Sequence, residues 1–388
     1  MKWGMDMINN LFRSPHRILY GKGAIKNLGK EAVSYGRKAM IVVGKHSAKK
    51  SGALDKTIKS LEESNIEVVI FDEVESDPSV ETVMKGFEIA EDEKVDFLIA
   101  LGGGSALDAA KAISIIISNG GNIVDYEFKE PEKECTPVIG IPTTAGTGSE
   151  VSRSTIITDK ERKIKMLIST DKIIPKVAIL DPELTLTVPP KTTAATGMDA
   201  LTHAIEGYIS KIAQPISSVY ALKAIELIGK NLPKAVLDGD NLEAREGMLL
   251  GQLYAGLAFS NASVALVHAM SRPLGVYFEV PHGMANAILL PKVMEFNRAS
   301  VQEKFCDIAK ALGENVDNLT IREGSYKAVE AVSKLYDEVG LPKKLREVGV
   351  DKNLLGRLAE DAYVNKSATL NPRKASYEEV KKIYEEVY

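Results

Sequence analysis

Cysteine is nearly absent. Two of the 388 residues are cysteine, Cys135 and Cys306, and they stand far apart in the chain. No disulfide framework can be built from them, so the expected setting is a reducing cytoplasm. An excess of charge of one sign is missing too, with 49 Lys and Arg against 53 Asp and Glu and a formal net charge of −4. Without a broad basic field, nucleic acid is not an expected partner. No run reaches the roughly 18 uncharged apolar residues that a membrane span needs, so no membrane partner is expected. The opening MKWGMDMINNLF is broken by Asp6, Asn9 and Asn10 and contains no secretory apolar segment. Internal repeats and low-complexity tracts are also lacking.

What is present is a globular composition, 45% hydrophobic and 26% charged, on a chain longer than one core usually supports. Two domains are expected. The first half alternates short aliphatic runs with amphipathic stretches. Ala39–Val43, Glu67–Phe71, Phe97–Leu101, Val138–Ile141 and Val177–Leu180 read as buried strands. Between them Ala53–Ser64, Ser79–Asp92 and Leu107–Ser118 read as helices, which predicts a parallel sheet covered on both faces. After about Asp181 the strand signal disappears. Pro189 and Pro190 mark a break, Thr192 or Thr193 can cap the next helix, and Ala194–Ile209, Ser217–Ile228 and Leu242–Phe259 read as helical. The expectation is an α/β domain over residues 1–188 and an all-helical domain over 189–388.

Strand Phe97–Leu101 runs directly into Gly102, Gly103, Gly104 and Ser105, and Ala106 opens a helix. Unpaired N–H groups at a helix start bind phosphate oxygens, and glycine lets the backbone approach a pyrophosphate closely. The spacing departs from the usual dinucleotide fingerprint, because Leu107 occupies the place of its third glycine. A tight turn without ligand is the other reading. A second loop, Pro142–Ser149 with Thr143, Thr144 and Thr147, follows strand Val138–Ile141 at the edge where such sheets bind ligands. An ordinary hydroxyl-rich turn would look the same.

The chain has five histidines, His16, His46, His203, His268 and His282. Asp199 and His203 lie four residues apart and so share a helix face. With His268 and His282 they make an O,N,N,N set that suits Fe(II), Zn(II) or related ions rather than calcium or magnesium. Each histidine alone is more often a hydrogen-bonded core residue than a ligand, and it is the set of four that points to a metal. Glu206, three residues beyond His203, is the next ligand in line, or else a solvated or N–H-bonded carboxylate.

Four segments together resemble the iron-containing (group III) alcohol dehydrogenases over nearly the whole chain: Gly102–Lys111, Ile141–Glu150, Thr196–Tyr208 and Pro281–Pro291. The resemblance implies the dehydroquinate synthase-like architecture, with a dinucleotide-binding domain, a helical domain and a metal in the cleft between them. It places the ligands on Asp199, His203, His268 and His282. Cofactor contacts fall on Gly103–Ser105, Asp108, Thr143, Thr144, Thr147, Lys165 and Leu184, and Phe259 falls in the substrate pocket. It further implies reversible hydride transfer between NAD(P)(H) and a small primary alcohol or aldehyde, with Fe2+ as Lewis acid and Zn2+ or Ni2+ as substitutes. A cytoplasmic homodimer or larger homo-oligomer is the expected assembly.

Two departures stand out. Many relatives carry a further His four residues after the third ligand, thought to move the proton or touch the cofactor. Here Arg272 takes that place, and arginine cannot act as a base. Many NAD-preferring relatives also place an Asp after the first strand, where it repels a 2′-phosphate. Gly44 stands there, followed by Lys45, Ser47, Lys49 and Lys50, which predicts NADP over NAD. The lysines also read as a solvated helix start. Rival functions are a glycerol-dehydrogenase-like polyol enzyme, which uses zinc with three ligands, and a lyase like dehydroquinate synthase. The lyase needs a cluster of Lys and Arg around the metal, and the metal segments offer only Arg272. A non-catalytic metal- and nucleotide-binding protein is the third.

Overall fold

The computed structural model describes residues 11–45 and 47–388. The readings of MKWGMDMINN and of His46 lie outside the described residues. Eight strands follow in chain order: β1 (Arg17–Tyr20), β2 (Lys38–Gly44), β3 (Glu67–Val74), β4 (Phe97–Gly102), β5 (Val138–Pro142), β6 (Ser154–Asp159), β7 (Ile164–Ser169) and β8 (Val177–Leu180). Six of them form one parallel sheet in the order β1-β8-β5-β4-β2-β3, and β6 with β7 makes a separate antiparallel pair. The five expected strands all lie in the sheet. Strands β1, β6 and β7 go beyond the expectation, since β1 is only four residues long and charges at Lys160–Lys163 interrupt the hairpin pattern.

Strand β4 is buried along its whole length, with Phe97, Leu98, Ile99, Ala100 and Leu101 all inaccessible. Such continuous apolar runs are what a sheet covered on both faces requires. The chain passes from β2 outward to β3 and then returns to β4 on the other side of β2, so the winding reverses between β2 and β4. Ligands of open parallel sheets sit at the carboxyl end of such a reversal. Gly44 ends β2 and Gly102 ends β4, one step beyond the paired Val43 and Leu101.

From Pro190 the described chain is helical. The first helix spans Pro190–Ile209 with Pro189 as its cap. This corrects the expected cap at Thr192 or Thr193. Proline at the first helical position arrives with its φ already set and loses no N–H bond. The Thr193 hydroxyl instead accepts from Arg245 Nη1 at 2.8 Å. Helices Pro215–Leu237 and Leu242–Ala262 run longer than expected and pack with the first around a core that includes Met198, Leu201, Ile225 and Met248. Helices Leu266–Phe278 and His282–Arg298 complete the part that surrounds the site.

Among the described residues no single helix is long and apolar enough to cross a membrane. One bent pair, Leu242–Ala262 with Leu266–Phe278, has the apolar length but turns through 102°.

Candidate metal and cofactor site

The glycine turn is built by the end of β4. Gly102 has φ +149°, a conformation side chains disfavour, and its carbonyl accepts from Thr143 N at 2.9 Å. The next helix runs Gly104–Asn119, so it opens two residues earlier than the expected Ala106. Gly103 is its cap and supplies no side-chain hydrogen bond, which leaves the first N–H groups facing outward. The threonine loop lies directly against this turn because β5 pairs with β4, Pro142 opposite Gly102. A β-carbon on Gly103 would stand 3.4 Å from Thr144 Oγ1, and one on Gly104 would stand 2.8 Å from Thr147 Cγ2. The two loops thus form one glycine-lined cradle.

The other expected cofactor residues take varied places. Ser105 Oγ accepts from Asp77 N at 3.3 Å. Asp108 is occupied by the protein itself, accepting from Ser149 Oγ at 2.5 Å and Ile156 N at 3.0 Å, with Lys111 Nζ 3.4 Å away. Lys165 projects from β7 to Asp77 Oδ2 at 2.8 Å and approaches Gly275 on the helix that carries His268. Leu184 is buried in the sheet core near Ile141 and Ile179. Gly44 has open surroundings, since a β-carbon there would meet only Val74 O at 3.5 Å. Beyond it Lys45, Ser47, Lys49 and Lys50 are exposed.

The helical half supplies the second group. Asp199 Oδ1 lies 3.8 Å from both His268 Nε2 and His282 Nε2, and one ligand atom from each residue falls within 4.8 Å of the other two. A tetrahedral ion with bonds of about 2.1 Å sets its ligands roughly 3.4 Å apart. The two 3.8 Å spacings from Asp199 are a few tenths of an ångström wider than that. These atoms converge on a single donor, the Asn286 amide, whose Nδ2 sits 2.6 Å from Asp199 Oδ1 and 3.2 Å from each Nε2. Asp199 as carboxylate can only accept, so the amide nitrogen must face it, and each Nε2 presents a lone pair.

His203 stands outside this 4.8 Å group. Its ring stacks between Phe259 at 4.4 Å and His268 at 4.5 Å, and its buried Nδ1 has no hydrogen-bond partner. Burial, together with His203 and Arg272, holds His268 well below the ordinary imidazole pKa. Burial likewise pulls His282 down to about 3 despite Asp199. Both rings are neutral near pH 7, as metal ligation requires. Three convergent acceptors plus an unpartnered imidazole nitrogen fit a divalent ion of the borderline N/O type.

Glu206 is neither solvated nor in this group. It is buried and accepts from Ala265 N at 2.8 Å, Val267 N at 2.6 Å and His268 Nδ1 at 2.6 Å. Burial pushes its carboxyl up to about 7, and the Ala265 and Val267 N–H bonds oppose that rise. Arg272 lies one turn beyond His268 on the same helix and donates to Asn365 Oδ1 at 3.3 Å. Asn286 and the Glu206 contacts escape sequence reasoning. The His282–Asn286 spacing of one helical turn is the available signal.

The loop after β5 also ties the two halves together. Gly148 has φ +61°, and a β-carbon there would lie 2.6 Å from Gly256 Cα. Gly148 N donates to Gln252 Oε1 at 2.8 Å, and Gln252 Nε2 donates to buried Glu150 Oε1 at 2.6 Å. Phe259 faces this loop and His203 at once.

Residues 15–182 match the family model "Iron-containing alcohol dehydrogenase", and residues 193–388 match "Fe-containing alcohol dehydrogenase family, C-terminal". The chain is 40% identical to the NADPH-dependent butanol dehydrogenase of Clostridium saccharobutylicum, covering 97% of each. It is 38% identical to the NAD-dependent methanol dehydrogenase of Bacillus methanolicus, covering 97% of this chain and 99% of the relative. A crystal structure of a 1,3-propanediol oxidoreductase superposes with a TM-score of 0.95 at 40% identity, over 97% of this chain and 99% of that one.

Proposed function

Because this chain belongs to the iron-containing alcohol dehydrogenase family and is an NAD(P)-linked oxidoreductase of alcohols and aldehydes, we propose that it acts on a small primary alcohol or aldehyde with NADP(H). In this reading Asp199, His203, His268 and His282 hold one divalent ion, iron in the native state. Purification in air leaves zinc, nickel or an empty site, since Fe(II) binds more weakly than its later neighbours. The observation that carries the reading is the convergence of Asp199 Oδ1, His268 Nε2 and His282 Nε2, which lie within 4.8 Å of one another.

The ion would supply Lewis acidity toward the substrate oxygen. Everything else falls to the chain. Gly102–Gly104 and the Thr143–Thr147 loop cradle the pyrophosphate at the start of the Gly104–Asn119 helix. Phe259, stacked on His203, walls the substrate side and excludes water. Arg272 keeps a positive charge one turn from His268 and cannot accept the proton. Gly44 leaves room for a 2′-phosphate, and Ser47, Lys45 and Lys50 stand ready to bind it.

The 40% likeness to an NADPH-dependent butanol dehydrogenase supports this cofactor, and the relative that uses NAD shows that the family accepts both. Two cysteines without a disulfide suit the cytoplasm, where we place a homodimer or larger homo-oligomer. The test is consumption of NADPH and NADH with a panel of short aldehydes, alongside elemental analysis of the protein. Turnover with no aldehyde or alcohol would defeat the reading.

A further inference from the structure

Glu206 lies on the metal-facing helix yet points away from the converging ligand atoms. Asp199, His203 and Glu206 are spaced four and three residues apart on helix Pro190–Ile209 and so share one face. The helix that brings His268 begins at Leu266, just after the chain has turned through 102° from helix Leu242–Ala262. Ser263 adopts φ +62° in that turn. The cap residue of the new helix is Ala265, which has no side chain able to bond its own N–H groups. Ala265 and Val267 are both buried, so water does not serve them either.

One carboxylate fills this gap from a different helix. Glu206 Oε1 accepts from Val267 N at 2.6 Å, and Oε2 accepts from Ala265 N at 2.8 Å and from His268 Nδ1 at 2.6 Å. The His268 bond sets the tautomer. With the Asn286 amide donating toward His268 Nε2, the ring proton belongs on Nδ1, against Glu206. A carboxylate behind a histidine fixes its ring orientation and raises its basicity as a ligand.

We propose that Glu206 is the positioning residue of the metal site, holding the His268 helix at its start and aiming His268 Nε2 at the point where Asp199 and His282 converge. This rests on the reading of Asp199, His268 and His282 as metal ligands. It assigns Glu206 a role outside the ligand set itself.

The test uses metal-stripped, folded protein and Zn(II) alone, titrated in competition with a chromophoric chelator. Glu206→Gln keeps the shape and removes the anion, and it should weaken Zn(II) binding by roughly 10- to 100-fold, the usual effect of losing an outer partner of a ligating histidine. Glu206→Leu should weaken it further. NADPH binding, measured by fluorescence on the same samples, should stay unchanged because the cradle lies on the other domain. A purely structural role would lower thermal stability and leave the Zn(II) affinity of the folded fraction alone. A Glu206→Gln affinity within twofold of wild type overturns the proposal.

Nitrogen NMR of histidine-labelled wild type gives an answer that does not depend on either variant folding. The His268 signal, identified by its loss in His268→Gln, should show a protonated Nδ1, and a protonated Nε2 overturns the proposal. If wild type binds no Zn(II) while His268 carries its proton on Nδ1, the metal reading falls and the hold of Glu206 on His268 stands.

Discussion

Gly44 and the lysines beyond it show how much one missing side chain can matter. Strand β2 ends at Gly44 and its neighbour β4 at Gly102, at the reversal of the sheet, and in the proposed reading a residue there faces the adenosine end of the dinucleotide. The space around Gly44 would accept a side chain, with Val74 O at 3.5 Å as the nearest obstacle. Gly44→Asp should therefore fold normally and place a carboxylate against the 2′-phosphate. A charge-assisted hydrogen bond is worth roughly 1.5–3 kcal/mol, so displacing even one should lower the NADPH-to-NADH ratio of kcat/KM at least about tenfold. A wild type that prefers NADH, or a ratio unmoved by the substitution, would show that Gly44 is not the selector. At the proposed metal site, His268→Ala should strip metal and activity together while the fold survives. The drop in affinity should exceed the roughly 100-fold upper range for an outer partner. Full metal content and turnover in that variant would rule out His268 as a ligand.

The loop between β5 and β6 shows the same economy at the level of an element. Glu150 is fully buried, bonded to Gln252 through one oxygen, and its other oxygen, Oε2, has no partner. Lys111 faces it and is itself held by Ser149 O and Ser152 Oγ, with Asp108 at 3.4 Å. Burial pushes the Glu150 carboxyl up to about 7, against the pull of Gln252 and Lys111. Between about pH 4.5 and 7 the folded chain retains a proton that the unfolded chain has released. The stability this contributes is complete below about pH 4.5 and is lost as pH rises through 7. Glu150→Gln never ionises, so its stability relative to wild type should improve by about 1–3 kcal/mol between pH 5 and pH 8. Urea unfolding of both proteins across that range checks it. Parallel stability curves would contradict the prediction.

Across the whole molecule, the proposed ligand atoms come from three helices, Pro190–Ile209, Leu266–Phe278 and His282–Arg298. An ion bound there links those helices only in the folded state. At a free metal concentration about a thousand times the dissociation constant, such binding adds about 4 kcal/mol to stability. Chelation should therefore lower Tm, and Tm should rise again with added metal. The far-UV helical signal should persist, because the Asn286 amide already bridges the same acceptors. A Tm indifferent to chelator and metal would mean that the site binds no ion of consequence.

Much of this is legible in the order of residues alone: the alternation of strand and helix, the glycine turn after Phe97–Leu101, the break at Pro189 and the scarcity of histidine that makes His203, His268 and His282 conspicuous. These are local properties, set by periodicity, backbone freedom and residue type. The short β1 and the β6–β7 hairpin escape because four- to six-residue strands with charged turns carry little periodic signal. Packing, by contrast, settles that Asp108 is spent on Ser149 and Ile156, and that His203 stacks on Phe259 outside the group formed by Asp199, His268 and His282. Packing also assigns Glu206 to a helix whose first residues lie some 60 positions further along the chain. Each of these outcomes depends on which buried donor lies nearest to which acceptor once the helices have packed. A buried polar atom takes the partner that packing delivers, and spacing along the chain does not specify that partner.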